Sequence, residues 1–289
     1  MAALEVVFLT VFWSWVLIAA LFLRQTLLPR LPLTATPDGA GMPSEVVHFF
    51  STDGICLEGW KIFSSANRPW ILLCHGMGTN RSDLIETAGT LHRAGFNLLL
   101  FDFRGHGGSE GQTTSFGWLE RQDLEGALAF LGAQADVPPR PIGIYGISMG
   151  AAVAIQVAAA DERIGAIIAD SPYLDLESAF GRYLALFYRI PPAPVLWLIL
   201  ATYRARFGAW PRRVSPLTTV RSISPRPLLL ICGDQDARTP PRDVRRVFEA
   251  AGAPKDLWLI AGAGHLQGLS LNPPTYQSRI VVFFQTHLK

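Results

Sequence analysis

Short runs of apolar residues recur along this chain, separated by stretches long enough for a helix, and this alternation restricts the fold more than any other feature. The runs occupy residues 70–74, 97–103, 141–146, 166–170, 227–232 and 257–261. Strands that are apolar on both faces are typical of a parallel sheet covered by helices on each side. The pattern therefore predicts an α/β fold with a mostly parallel, doubly wound sheet.

Two earlier runs predict a hairpin ahead of that sheet. Residues 46–50 and 55–63 flank Asp53 and Gly54, a pair that suits a tight turn between antiparallel strands. Between the later strands, helices are predicted at the following places: residues 81–93, 116–131, 149–160, 241–251 and 274–286.

One segment is too long for an ordinary connection between strands. Residues 173–225 are rich in Leu, Tyr, Phe and Trp, and proline interrupts them. The apolar run around Trp197 is too short to span a membrane, because prolines precede it and Arg204 and Arg206 follow it. We therefore interpret residues 173–225 as an inserted helical lid.

The N-terminus carries an uncharged apolar run at residues 6–23. Its length is close to the minimum for a membrane-spanning helix, so residues 1–28 are predicted to be a transmembrane anchor. A cleaved signal peptide and a buried core helix are the alternatives, but no Lys or Arg precedes the run. Because Glu5 precedes the run while Arg24 and Arg30 follow it, the positive-inside rule predicts a single-pass protein whose main domain faces the cytoplasm.

Composition fits this domain organisation. Residues 29–43 are rich in proline and predict an extended linker, and residues 44–289 are predicted to form one domain that includes the lid. The formal net charge of +2 is too small to suggest a nucleic-acid partner. The three cysteines lie in apolar or strand-like runs without metal-ligand spacing, which favours buried core positions.

The chemistry is indicated first by the sequence Gly-Ile-Ser-Met-Gly at residues 146–150. It stands directly between a predicted strand and a predicted helix, where small residues on both sides of a sharp turn expose the serine hydroxyl. A serine needs a base within hydrogen-bond reach, and the base needs an acid to orient it. Ser148 is therefore the predicted nucleophile.

The base and the acid should follow the serine in the chain. His265 lies in a glycine-rich loop directly after the last predicted strand, at the sheet edge where such folds place their sites, and is the predicted base. Asp234 and Asp236 both follow the penultimate strand, and the spacing does not choose between them. Asp170 and Asp175 are weaker alternatives.

Several segments together resemble the α/β-hydrolase family over residues 44–289. The resemblance rests on four motifs, LLCHGMGTNRSD, FDFRGHGGSEG, GISMG and GDQDARTP, which occur in the family's order. The chain is most similar to the branch that contains membrane-anchored, serine-aminopeptidase-like and lysophospholipase-like members. The resemblance implies an α/β-hydrolase fold and selects Asp236 as the acid.

The resemblance also implies which backbone groups stabilise the oxyanion. These are the N–H of Met149, which follows the nucleophile, and the N–H of Met77 in the loop after the third strand. His75, Asp102, Arg104 and His106 are expected to order loops rather than to transfer protons.

The sequence thus predicts a serine hydrolase that acts on carboxylic esters or thioesters through an acyl-enzyme, with a small-molecule acyl ester as substrate. No metal or organic cofactor is required for that chemistry, and the apolar lid and the anchor favour membrane lipids as a source of substrate. A peptidase or an acyltransferase would use the same triad. A non-catalytic, membrane-tethered binding protein with this fold is the hypothesis from another class.

Overall fold

An eight-stranded sheet lies at the centre of the computed structural model, which describes residues 2–27, 30–135, 137, 140–193 and 195–288. The predicted boundary between anchor and linker, at residues 28 and 29, lies outside the described residues, as do residues 1 and 289, the two ends of the chain.

The sheet has the predicted mixed architecture. Its strands are β1 (Ser44–Phe50), β2 (Cys56–Ile62), β3 (Trp70–Cys74), β4 (Asn97–Phe101), β5 (Ile142–Ile147), β6 (Ile164–Asp170), β7 (Leu228–Gly233) and β8 (Lys255–Ile260). The order across the sheet is β1-β2-β4-β3-β5-β6-β7-β8. The first two strands form an antiparallel hairpin that joins β4 antiparallel, and β3 to β8 run parallel. The doubly wound sheet and the N-terminal hairpin are confirmed.

Helices cover both faces of the sheet. The described helices are α1 (Ala2–Thr26), α2 (Ile85–Arg93), α3 (Glu120–Gly132), α4 (Met149–Ala158), α5 (Leu176–Tyr183), α6 (Val195–Phe207), α7 (Pro216–Thr219), α8 (Pro241–Ala250), α9 (Gly268–Leu271) and α10 (Pro273–His287). One core joins the sheet to α3, α4 and α8, and a second core on the opposite face joins it to α2 and α10. Because both faces are buried, the parallel strands are continuously apolar.

Helix α3 begins later than the sequence predicted. The expected helix started at Phe116, but Phe116 and Gly117 have positive φ angles of 57° and 113°, which no α-helix contains. The Glu120 carboxylate accepts hydrogen bonds from the backbone N–H groups of Ser115 and Gly117, each at 2.8 Å. These contacts fix a turn ahead of the helix, so the first predicted helical turn was wrong.

Between β6 and β7 the chain leaves the sheet and forms α5, α6 and α7. A one-turn π-helix at Leu184–Tyr188 follows α5 directly. Phe180 from α5 and Tyr203 from α6 pack together with a centroid distance of 5.7 Å, and Tyr203 is fully buried. Helices α5 and α6 form a third, small core together with Phe22 of α1 and Phe116 of the loop before α3.

Helix α1 is not separated from the domain. Within the described residues it is the one helix long and apolar enough to cross a membrane. Its last turn is attached to the domain, because the Thr26 carbonyl accepts a hydrogen bond of 2.9 Å from the Thr114 N–H. The segment beyond it is attached as well, since Arg30 donates to the Gly107 and Gly111 carbonyls and Asn80 donates to the Leu31 carbonyl.

Candidate active site

Ser148 occupies the sharp turn between β5 and α4. Its backbone has φ 50° and ψ −114°, a conformation that a residue with a side chain rarely adopts. A Cβ on Gly146 would lie 2.6 Å from the Gly150 carbonyl oxygen, and one on Gly150 would lie 2.2 Å from the Cys74 carbonyl oxygen. The two glycines of the motif are thus required for this turn, which holds the Ser148 side chain at the carboxyl edge of the sheet.

His265 lies within hydrogen-bond distance of both partners that the sequence assigned to it. Its Nε2 is 3.1 Å from Ser148 Oγ, and its Nδ1 is 2.8 Å from Asp236 Oδ2. Both contacts fit a relay in which Nδ1–H donates to the carboxylate and the free Nε2 accepts from the serine hydroxyl. The three side chains come from three different loops at the same sheet edge.

Asp236 is held as a carboxylate by hydrogen bonds. The side chain is 2% exposed, its Oδ1 accepts from the N–H groups of Arg238 and Thr239, and its Oδ2 accepts from the Thr239 hydroxyl at 2.7 Å. Burial alone would raise the pKa of Asp236, but the hydrogen bonds from His265 and Thr239 outweigh it and hold the pKa below its ordinary value. The carboxylate therefore stays ionised beside the imidazole.

The three other candidate acids have different partners. The Asp234 side chain accepts from the Gly262 N–H at 2.8 Å and so braces the loop that bears His265. Asp175 accepts from the Ser178 N–H at 2.7 Å and caps α5. Asp170 accepts from the Tyr276 hydroxyl at 2.5 Å. Of the four carboxylates, Asp236 is the one hydrogen-bonded to the histidine.

The two backbone groups expected to bind the oxyanion adjoin the serine. Met149 is the first residue of α4, so its N–H has no partner within the helix. Gly76, directly before Met77, approaches the serine closely enough that a Cβ on it would lie 3.5 Å from Ser148 Cβ. Met77 and Met149 both line the same cavity as Ser148 and His265.

His75 and His106 fix the loop that carries Met77. The Phe103 N–H donates to His75 Nε2 at 3.0 Å, and the Gly78 N–H donates to His106 Nε2 at 3.2 Å. Burial, followed by the neighbouring His106, keeps the pKa of His75 well below its ordinary value. His75 is therefore a neutral hydrogen-bonding residue of the loop.

An apolar cavity of about 230 Å³ opens above Ser148 and His265. Its walls come mainly from the lid, and the loop before α3 contributes Phe116. The apolar and aromatic residues among them include Phe116, Tyr173, Leu176, Phe180, Leu184 and Ile199. Helix α1 supplies a further wall through Ile18, Leu21, Phe22 and Gln25. Such a cavity suits an acyl chain better than a charged group.

Two contributions to the site were missed at the level of sequence. Thr239 holds Asp236 from three residues away, and a threonine after an acid gives no signal of that role. The face of α1 that lines the cavity was also missed, because an apolar run that predicts membrane insertion carries no information on which side chains pack against a distant lid.

A serine at the turn after β5 and a histidine after β8, on this order of strands, define the α/β-hydrolase fold. A family model described as serine aminopeptidase, S33, matches residues 65–204. The chain is 30% identical over 235 residues to the uncharacterized protein YqkD of Bacillus subtilis, which covers 81% of this chain and 76% of the relative. The chain therefore belongs to the α/β-hydrolase family.

Other similarities lie within the same fold. The Pyrococcus furiosus esterase Pf2001 superposes with a TM-score of 0.76 at 27% sequence identity, covering 91% of this chain and 100% of the esterase chain. The polyketide transferase ATR5 of Stachybotrys chlorohalonatus is 26% identical over 279 residues, which covers 80% of this chain and 93% of the relative.

Proposed function

We propose that the chain is a serine hydrolase that cleaves carboxylic esters or thioesters with an apolar acyl group. The observation that carries the proposal is the position of Ser148 Oγ, 3.1 Å from the imidazole of His265, at the floor of the apolar cavity. The similarity to an esterase supports the substrate class.

The reaction proceeds in two halves. Ser148 Oγ attacks the acyl carbon while His265 Nε2 takes the hydroxyl proton, and the tetrahedral oxyanion accepts hydrogen bonds from the N–H groups of Met77 and Met149. The imidazolium, stabilised by Asp236, returns its proton to the leaving alcohol or thiol, and Ser148 is left as an acyl ester. Water then attacks that ester with His265 as base, which releases the carboxylic acid and restores the serine.

Labelling by a fluorophosphonate probe tests the proposal directly. Wild type should label rapidly and should hydrolyse p-nitrophenyl esters, while Ser148→Ala and His265→Ala should do neither. Ser270→Ala is the matched control, since Ser270 is an exposed serine outside the cavity walls. A folded wild type that neither labels nor hydrolyses any ester would overturn the enzyme assignment and favour a non-catalytic binding protein.

Transfer of the acyl group to an alcohol is a second candidate function. It is favoured by the similarity to a protein named as a polyketide transferase. Both activities share the acyl-enzyme and differ in whether water or another hydroxyl attacks it. Adding increasing concentrations of an alcohol distinguishes them, because a transferase that binds the alcohol forms the new ester with saturation, whereas a hydrolase forms it in simple proportion to the alcohol that competes with water.

We also propose that α1 remains attached and anchors the protein in a membrane, with the hydrolase domain on the cytoplasmic side. The apolar helix Glu5–Thr26 is 22 residues and about 33 Å long; its last two turns pack on the domain, and the exposed apolar turns before them are the part that enters the bilayer. Retention is supported by the burial of Phe22 and Thr26, which cleavage beyond the helix would remove from the domain. Alkaline carbonate extraction tests attachment, and protease protection of a C-terminal tag in intact spheroplasts tests the side.

The lid is suited to lie against that membrane. The lid, residues 173–225, contains seven arginines and two acidic residues, Asp175 and Glu177. Trp197 is 68% exposed and does not line the cavity, and Phe187, which lines it, is still 47% exposed. Arg182 is paired with Asp243, and the other arginines leave the lid with an excess of positive charge. Apolar side chains beside such an excess favour an anionic lipid surface. The cavity would then open toward acyl chains of the bilayer, which supports lipid-derived esters as substrates.

A further inference from the structure

The carboxyl-terminal end of α1 presents one continuous face to the cavity above Ser148. The four cavity-lining residues of the helix are Ile18, Leu21, Phe22 and Gln25. Their spacing of three, one and three residues places them along a single side of two successive helical turns. The anchor helix therefore bounds the site along a length of two turns rather than at one point.

This wall is fixed in place by contacts on both sides of it. The Phe22 ring lies 6.3 Å from the Phe116 ring and 6.5 Å from the Tyr203 ring, and its side chain is 7% exposed. Gln25 Nε2 donates to the Tyr188 hydroxyl at 3.1 Å. The helix is thus fastened both to the loop before α3 and to the lid.

The four residues of this wall differ in how far their side chains are buried. Phe22 is buried among the aromatic rings of the lid and acts as a packing residue. Leu21 remains 51% exposed and Ile18 is half-buried, although both line the cavity. Leu17 is 59% exposed on the same helix without lining the cavity, so exposure alone does not distinguish Leu21. Ile18 and Leu21 differ from it because they line the cavity, which puts part of their apolar surface within reach of a molecule inside it.

We infer that the N-terminal helix is a specificity element of the active site, in which Ile18 and Leu21 contact the acyl chain of the substrate and set the chain length that is accepted. The inference rests on the proposed hydrolase function and assigns the helix a second task beyond anchoring. A longer acyl chain extends from Ser148 past the lid to α1, whereas a short chain ends before it.

Substitutions that fill or enlarge this part of the cavity test the inference. The quantity measured is kcat/KM for p-nitrophenyl laurate divided by kcat/KM for p-nitrophenyl butyrate. Leu21→Trp should lower this ratio by about tenfold or more, because one misplaced methylene in a fitted pocket already has an effect of this size. Leu21→Ala and Ile18→Ala should change the same ratio in favour of longer chains. Leu17→Trp is the matched control, since Leu17 is 59% exposed on the same helix and does not line the cavity.

The assay separates this inference from the proposed function. All variants are compared in the same detergent, and rates are divided by the concentration of protein that the fluorophosphonate probe labels, so unfolded protein does not enter the ratio. Wild type that fails to label would overturn the hydrolase proposal itself. The specificity role of α1 alone would be overturned by a different result. In that result wild type labels and hydrolyses esters, and the laurate-to-butyrate ratio of kcat/KM is the same as in wild type for Leu21→Ala, Ile18→Ala and, if it folds, Leu21→Trp.

Discussion

The ring of Phe22 in the N-terminal helix meets the ring of Phe180 in the lid edge to face, with their centroids 5.4 Å apart. This contact joins the first helix of the chain to the cover of the active site. It makes the conformation of the lid dependent on a helix that composition alone assigns to a membrane.

We expect Phe22→Ala to lower the thermal unfolding midpoint of the detergent-solubilised protein. Truncating a buried phenylalanine leaves a cavity and costs about 3 kcal/mol, the low end of the usual range because the site adjoins an open pocket. Leu17→Ala, which removes an exposed side chain from the same helix, should change the midpoint little. Equal midpoints for the two variants would show that the helix does not pack on the lid.

Replacing each of the two aspartates of the loop after β7 in turn by asparagine tests which of them is the acid of the triad. Asp236→Asn should lower kcat for ester hydrolysis by about 10³ to 10⁴-fold, because an amide in place of the carboxylate cannot stabilise the imidazolium and favours the wrong tautomer of His265. Asp234→Asn should stay close to wild type, since Asp234 contacts the backbone of Gly262 rather than the histidine. The reverse order of effects would transfer the role to Asp234.

The free energy of unfolding should depend on pH through the titration of Asp170. Burial, the largest influence, raises the pKa of this carboxyl, although Tyr276 and Ser171 donate hydrogen bonds to it. A pKa raised in the folded state adds stability below the unfolded pKa of about 3.9, and this stability is lost as the pH rises through the folded pKa. The unfolding free energy of wild type minus that of Asp170→Asn should therefore decrease as the pH is raised from about 4. A difference independent of pH would contradict the raised pKa.

Arg104 should be important for folding and not for chemistry. Its guanidinium donates to the buried Asp123 at 2.6 Å and to Asp53 at 2.6 Å. Arg104→Met leaves the Asp123 carboxylate buried without its partner, which costs about 3 to 5 kcal/mol. Arg163→Met, which breaks the more exposed pair with Asp161, should cost about 1 kcal/mol or less. Chemical denaturation of the two variants measures both values.

The sheet could be predicted because its physical signal is local. Each parallel strand is buried on both faces, so each appears as a run of apolar residues such as 70–74. The start of α3 was missed because it depends on a bend at Phe116, which the side chain of Glu120 stabilises from four residues further along the chain. Apolar periodicity records which residues are buried, whereas this boundary is set by hydrogen bonds from backbone N–H groups to a side chain within the turn.

The residues of the candidate site could likewise be predicted only in part. The chain order and the strand ends placed Ser148 and His265 at one edge of the sheet, where the structure also has them. The choice of Asp236 over Asp234 needed the resemblance, since the two acids share one loop and differ in hydrogen bonds that spacing does not encode. The wall supplied by Leu21 depends on packing between segments that are far apart in the chain, which no short motif records.

The attachment of α1 to the lid also determines the order in which the protein is completed during synthesis. Gln25 and its partner Tyr188 are 163 residues apart in the chain. The helix leaves the ribosome before the lid, so its cavity-lining face has no lid to pack against until residue 188 and its neighbours have been made. Closing such long loops is slow compared with forming local contacts. The wall that α1 contributes to the cavity is thus translated before the rest of the site and can be completed only after the lid has been made.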